Sequence, residues 1–222
     1  MTPPNALRNL ALPVLLIAAL SAASCKSTEG HDRAASTADQ VVMVGHCAGQ
    51  TQLRLDQALN GLKKVDSTRG EDPTPAFKEF ASAYSSYTEE LADLRKERTT
   101  LTARAESWFN EFEMKNAAIQ DENLRADGAK RLAEYRERIH ETAQQVDDLL
   151  KGATTVEKEL GDLRTYLGND LSPDGVKTAS GKIADVTKDG HKVAEALGDL
   201  SKKSDALATK MRAARKPAEE KK

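Results

Sequence analysis

Apolar residues recur along this chain at alternating intervals of three and four, the spacing of a helix that buries one stripe. From about Ala38 to Asp66, Val41, Ala48, Leu55 and Leu62 repeat every seven positions, with Val44, Thr51, Ala58 and Val65 between them. This predicts a first helix. Gly45, Gly49 and Gly61 each weaken it by ~1 kcal/mol relative to Ala, so it must depend on packing.

TRGEDPTP, Thr68 to Pro75, reads as a turn, with Thr74 as N-cap and Pro75 at the first helical position. A second helix is expected from there to about Asn116, on the stripe Phe77, Phe80, Tyr84, Tyr87, Leu91, Leu94, Arg98, Leu101, Ala105, Trp108 and Phe112. At 1.5 Å per residue it makes a rod ~60 Å long. The phase fails between Ile119 and Leu132, where IQDENLRADG supplies polar residues and Gly128, and a reversal is expected there.

A third stripe follows through Leu132, Tyr135, Ile139, Thr142, Val146, Leu149, Ala153, Val156, Leu160, Leu163 and Leu167. GNDLSPDG, Gly168 to Gly175, is the next turn, with Gly168 suited to a C′ position and Ser172-Pro173 to an N-cap and first turn. The fourth stripe is Val176, Ala179, Ile183, Val186, Gly190, Val193, Leu197, Leu200, Ser204, Leu207 and Met211.

Short reversals between long helices make an all-α fold: an elongated antiparallel helical bundle or coiled coil of three long helices plus a shorter N-terminal helix, over residues 38–213. The sustained heptad implies left-handed supercoiling. Arg98 on the seam needs a partner or an outward path, and such residues fix register. If the second and fourth helices run parallel as neighbours, Ser204 falls near the level of Trp108. Residues 214–222 read as a disordered charged tail.

The segment before the bundle changes the picture from shape to location. Arg8 precedes LALPVLLIAALSAAS, an uncharged apolar stretch that then turns small, which is a secretory signal over residues 1–24. At about 15 residues and interrupted by Pro13, the stretch is short for the ~20 of a spanning helix. Ala22-Ala23-Ser24 before Cys25 resembles the bacterial lipoprotein box, which makes Cys25 the lipidation site and residues 25–37 a flexible tether with a reach of ~20 Å. Cleavage by an A-x-A signal peptidase, giving a soluble periplasmic protein, is the alternative. Lys26, where inner-membrane retention in the resembling family uses Asp, points to the periplasmic face of the outer membrane.

Composition narrows the function classes. Loss of residues 1–24 removes Arg8 alone, leaving 32 basic against 35 acidic side chains, a net charge of −3 that gives no electrostatic case for nucleic acid. Charged residues at 31% and aromatics at 4% suit long helices better than a sandwich or an α/β enzyme. With Cys25 lipidated, Cys47 has no intrachain partner: it is a free small residue or forms an intermolecular disulfide between two copies.

Candidate chemistry is sparse. Glu137 and His140 have Glu-x-x-His spacing, but Ile139 holds the seam, which puts both on the outer flank as a surface pair, and no second such motif completes a di-metal site. His191 and Glu195 lack a third ligand, and the adjacent His46 and Cys47 diverge by ~100° on a helix. No metal, cofactor or catalytic residue is expected. The aromatic stripe from Phe77 to Phe112 is core by its phase rather than a ligand groove. Lys222 at the C-terminus resembles the peptidoglycan-linked end of an abundant outer-membrane lipoprotein.

ESWFNEFE (106–113), LRADGAKRLAEYRERI (124–139) and ELGDLRTYLGNDLSPDGV (159–176) together resemble the domain-of-unknown-function family numbered 2959. The resemblance implies exported, helical proteins anchored by an N-terminal cysteine, and carries no reaction or site residue. The expected function is a non-enzymatic envelope lipoprotein, a tethered helical spacer, scaffold or adaptor, with peptidoglycan, an envelope protein or a second copy as partner. A periplasmic binding module holding an apolar or peptide ligand between helices is the alternative.

Overall fold

Each of the four apolar stripes lies on its own helix. The computed structural model describes residues 29–68 and 71–213. These form α1 (Glu29–Ser67), α2 (Thr74–Ala117), α3 (Glu122–Asn169) and α4 (Pro173–Ala213). Side-chain hydrogen bonds brace three of the starts. The Asp72 carboxylate accepts the Thr74 N–H at 3.0 Å, Asp121 accepts the Leu124 N–H at 2.9 Å, and Ser172 Oγ accepts the Gly175 N–H at 3.1 Å. Pro75 and Pro173 sit in first turns, where a missing N–H costs nothing.

The helices pack as a ring, α1 against α2 and α4, and α3 against the same two; α1 and α3 are diagonal, as are α2 and α4. Successive helices run antiparallel, as their pairings show. In α1 and α2, Arg33 meets Ser107 while Gly61 meets Phe80. In α2 and α3, Tyr87 meets Ala153 while Asn116 meets Arg125. Because every helix has two neighbours, its buried face is wider than one heptad seam. All eight stripe residues of α1 from Val41 to Val65 are fully buried, and Cys47 and Leu59 beside them are buried as well. Phe109 joins Trp108 in the core for the same reason.

Several boundaries differ from the sequence expectation. The first helix starts at Glu29 rather than Ala38, so residues 29–37, expected as tether, are helical; with 39 residues α1 is close in length to α4, with 41, and is not a short accessory. Contact with α2 explains the extension. Arg33 donates to Ser107 Oγ at 3.1 Å, Ala34 packs on the core, and Thr37 and Ala38 are buried. Tertiary packing thus stabilises a segment whose own composition is a weak helix former.

The N-cap position of α2 is Pro73, Asp72 accepts the Thr74 N–H from one residue further back, and Thr74 is already helical. Gly128 is not in the reversal but in α3, where a Cβ would lie 2.2 Å from Asn116 Oδ1. Asn116 donates to the Arg125 carbonyl at 2.9 Å and needs that vacant space. Gly168 is likewise helical, and Asp170 forms the C-cap, its N–H donating to the Tyr166 carbonyl at 3.0 Å. Ser204 does not share a level with Trp108: it packs against Gly45 of α1, whereas Trp108 makes tilted ring contacts with Phe109 and Tyr135.

Candidate functional site

Cys25 and Lys222 lie outside the described residues, as does the whole tail 214–222. Cys47 faces α2 and is 7% exposed. Burial, and then the charges of Glu97, Asp93 and Glu90, push its thiol up to about 11. A thiol held protonated is a weak nucleophile and a poor metal ligand.

The paired polar candidates lie on the surface. Glu137 and His140 are exposed, and His140 Nε2 sits 3.0 Å from Glu106 Oε1 on α2. The exposed His191 lies with Nε2 3.0 Å from Lys63 Nζ and Nδ1 3.8 Å from Asp56. Among the described residues no group of three or more His, Cys, Asp or Glu side chains is placed to hold a metal ion. None of the described helices is long and apolar enough to cross a membrane.

The aromatic stripe is packed. Phe80, Tyr87 and Phe109 are fully buried, and the Tyr87 hydroxyl donates to the Ala153 carbonyl of α3 at 3.0 Å. Burial raises the Tyr87 phenol above its ordinary value. Arg98, the charged seam residue, pairs with Asp147 of α3, so its cost on the seam is offset by a cross-helix partner that fixes the α2–α3 register.

One feature of the surface was hidden from sequence reading. An open cleft of about 470 Å³ lies between the start of α1 and the second half of α2, lined by Arg33, Ser36 and Thr37 on one side and by Thr99, Thr100, Ala103, Arg104 and Ser107 on the other. Two guanidinium groups converge on it. Arg33 Nη1 donates to Ser107 Oγ at 3.1 Å and Arg104 Nη1 reaches Ser36 Oγ at 3.5 Å. Arg33 also pairs with Glu111, which Lys115 shares at 2.5 Å; the Lys115 hydrogen bond and then the Arg33 charge hold that carboxyl below its usual range. One carboxylate between two cations leaves positive charge beside Arg104. The signal lay in Arg33 and Ser36, within a segment read as tether.

No curated protein and no solved structure matches the chain. A family model does match, over residues 24–211, which takes in all of α1, α2 and α3 and nearly all of α4. The chain therefore belongs to the family described as "Protein of unknown function (DUF2959)".

Proposed function

We propose that this protein is a non-enzymatic envelope lipoprotein: a helical rod, tethered through an acylated Cys25 to the periplasmic face of the outer membrane, that serves as a spacer, scaffold or adaptor. The observation that carries the reading is the elongated bundle itself, four packed helices of 39 to 48 residues each. The longest helix, α3, has 48 residues, which at 1.5 Å each reaches ~72 Å. Two or more acyl chains on one cysteine give a firm anchor, since each buried methylene contributes ~0.8 kcal/mol.

The packed interior supports a rod over a carrier that holds an apolar or peptide ligand between its helices. Phe80, Tyr87, Leu91, Leu94 and Leu101 of α2 and Ile139, Val146, Leu160 and Leu167 of α3 fill the seam. Charged outer faces then offer the contact surface for peptidoglycan, an envelope protein or a second copy. Metabolic labelling with a fatty-acid probe tests the anchor: wild type is labelled and Cys25→Ala is not, and an unlabelled wild type defeats the anchoring claim in favour of soluble export. Recovery of crosslinked partners from envelopes, with and without Lys222, separates peptidoglycan attachment from adaptor work.

A further inference from the structure

The cleft between α1 and α2 is lined without a carboxylate, and its polar groups are unequal in what they offer a ligand. Thr37, Thr99 and Thr100 turn their hydroxyl hydrogens back onto the carbonyls of Arg33, Arg95 and Lys96 at 2.9, 3.1 and 3.0 Å. Ser36 and Ser107 do the opposite. Their oxygens accept from Arg104 and Arg33, which leaves each hydroxyl hydrogen available to point elsewhere. The cleft therefore presents donors, two guanidinium groups and two serine hydroxyls, over walls of threonine and alanine. Its volume falls within the ~300–1,000 Å³ typical of small-ligand sites.

We propose that this cleft binds a phosphate oxyanion. Arginine's planar fork matches phosphate geometry, and charge-assisted hydrogen bonds to phosphate oxygens are about twice as strong as neutral ones. Arg104 is the principal ligand, because among the described residues its cleft partner is Ser36 at a long 3.5 Å, whereas Arg33 is partly neutralised by Glu111. The phosphate belongs either to a small soluble phosphomonoester or to a phospholipid headgroup; the second source rests on the membrane-anchored reading above, and the first does not.

The test uses the purified full chain carrying Cys25→Ala, which removes any acyl anchor. Calorimetric titration with sn-glycerol 3-phosphate at constant ionic strength gives saturable binding that weakens about tenfold or more in Arg104→Ala, is partly kept in Arg104→Lys, and is unchanged in Arg138→Ala on the exposed face of α3. Thermal melts confirm that the exposed Arg104 position tolerates substitution. The second arm measures cosedimentation with phosphatidylglycerol vesicles. Binding to vesicles alone, reduced in Arg104→Ala, assigns the phosphate to the headgroup; binding to the soluble probe assigns it to a free ligand. If neither probe binds, or if Arg104→Ala binds both as the parent does, the proposal is overturned, whatever the outcome of the lipid labelling.

Discussion

Gly61 of α1 lies directly against the backbone of Phe80 in α2: a Cβ at Gly61 would sit 2.8 Å from the Phe80 Cα and 2.9 Å from its nitrogen. Backbone cannot rotate aside as a side-chain tip can, so a methyl there must push the two helices apart. Gly61→Ala should cost about 2 kcal/mol through overpacking, although alanine is the better helix former by ~1 kcal/mol. Gly181, on the exposed face of α4 with nothing within 4 Å of its Cβ position, supplies the contrast. Gly181→Ala should stabilise the fold by roughly 0.5–1 kcal/mol. Urea unfolding of both variants checks the pair, and equal shifts of the same sign would refute the close approach.

Tyr87 holds α3 to α2 through its hydrogen bond to the Ala153 carbonyl, in a fully buried setting. Tyr87→Phe keeps the ring and removes only the hydroxyl, so it should cost about 1 kcal/mol. Tyr87→Ala should cost about 3–5 kcal/mol, by analogy with the emptying of other aromatic core positions. The raised phenol pKa adds a pH signature. Above the ordinary tyrosine range of about 10 the unfolded chain releases a proton that the native state keeps, so stability falls as pH rises there. Tyr87→Phe should flatten that alkaline limb in urea melts.

The helices and their inward faces were readable because burial leaves a periodic signature, and the eight stripe positions of α1 show it fully. What lay beyond reading depends on contacts distant in sequence. The start of α1 is stabilised by α2 side chains, and the phosphate cleft joins Arg33 to Ser107, 74 positions away. The burial of Phe109 beside the stripe residue Trp108 was not legible because heptad phase describes one seam, and α2 faces both α1 and α3. The small Ser204 suggested a hole for Trp108. In the fold Gly45 leaves the space that Ser204 occupies.

Asp72 and Asp170 should make the turns sensitive to acid. The Asp72 carboxyl is held below its usual range by hydrogen bonds from Thr74, and Asp170 by hydrogen bonds from Ser172. Their stabilisation is therefore present above the ordinary aspartate value and lost as pH falls through the lower folded value. Asp72→Asn and Asp170→Asn should narrow the difference between thermal melts at neutral pH and at about pH 2.5. Ser172→Ala, which removes the α4 cap to the Gly175 N–H, should lower stability by about 1 kcal/mol at neutral pH.

Cys47 should be silent towards thiol reagents while the bundle is folded. Its thiol is raised from 9.0 to about 11, which lowers the thiolate fraction on the order of 100-fold at neutral pH. Burial under α2 restricts access further, so reaction requires α1 and α2 to part. Ellman's reagent at about pH 8 should thus label the native protein at least ~100-fold more slowly than the urea-unfolded chain. The same barrier governs a disulfide between two copies, since the attacking species must be an exposed thiolate. Non-reducing gels of the purified, natively handled protein should show monomer, with dimer appearing only after oxidation under partly unfolding conditions. A dimer formed under native conditions and abolished by Cys47→Ser would show that α1 separates from α2 more readily than its buried stripe implies.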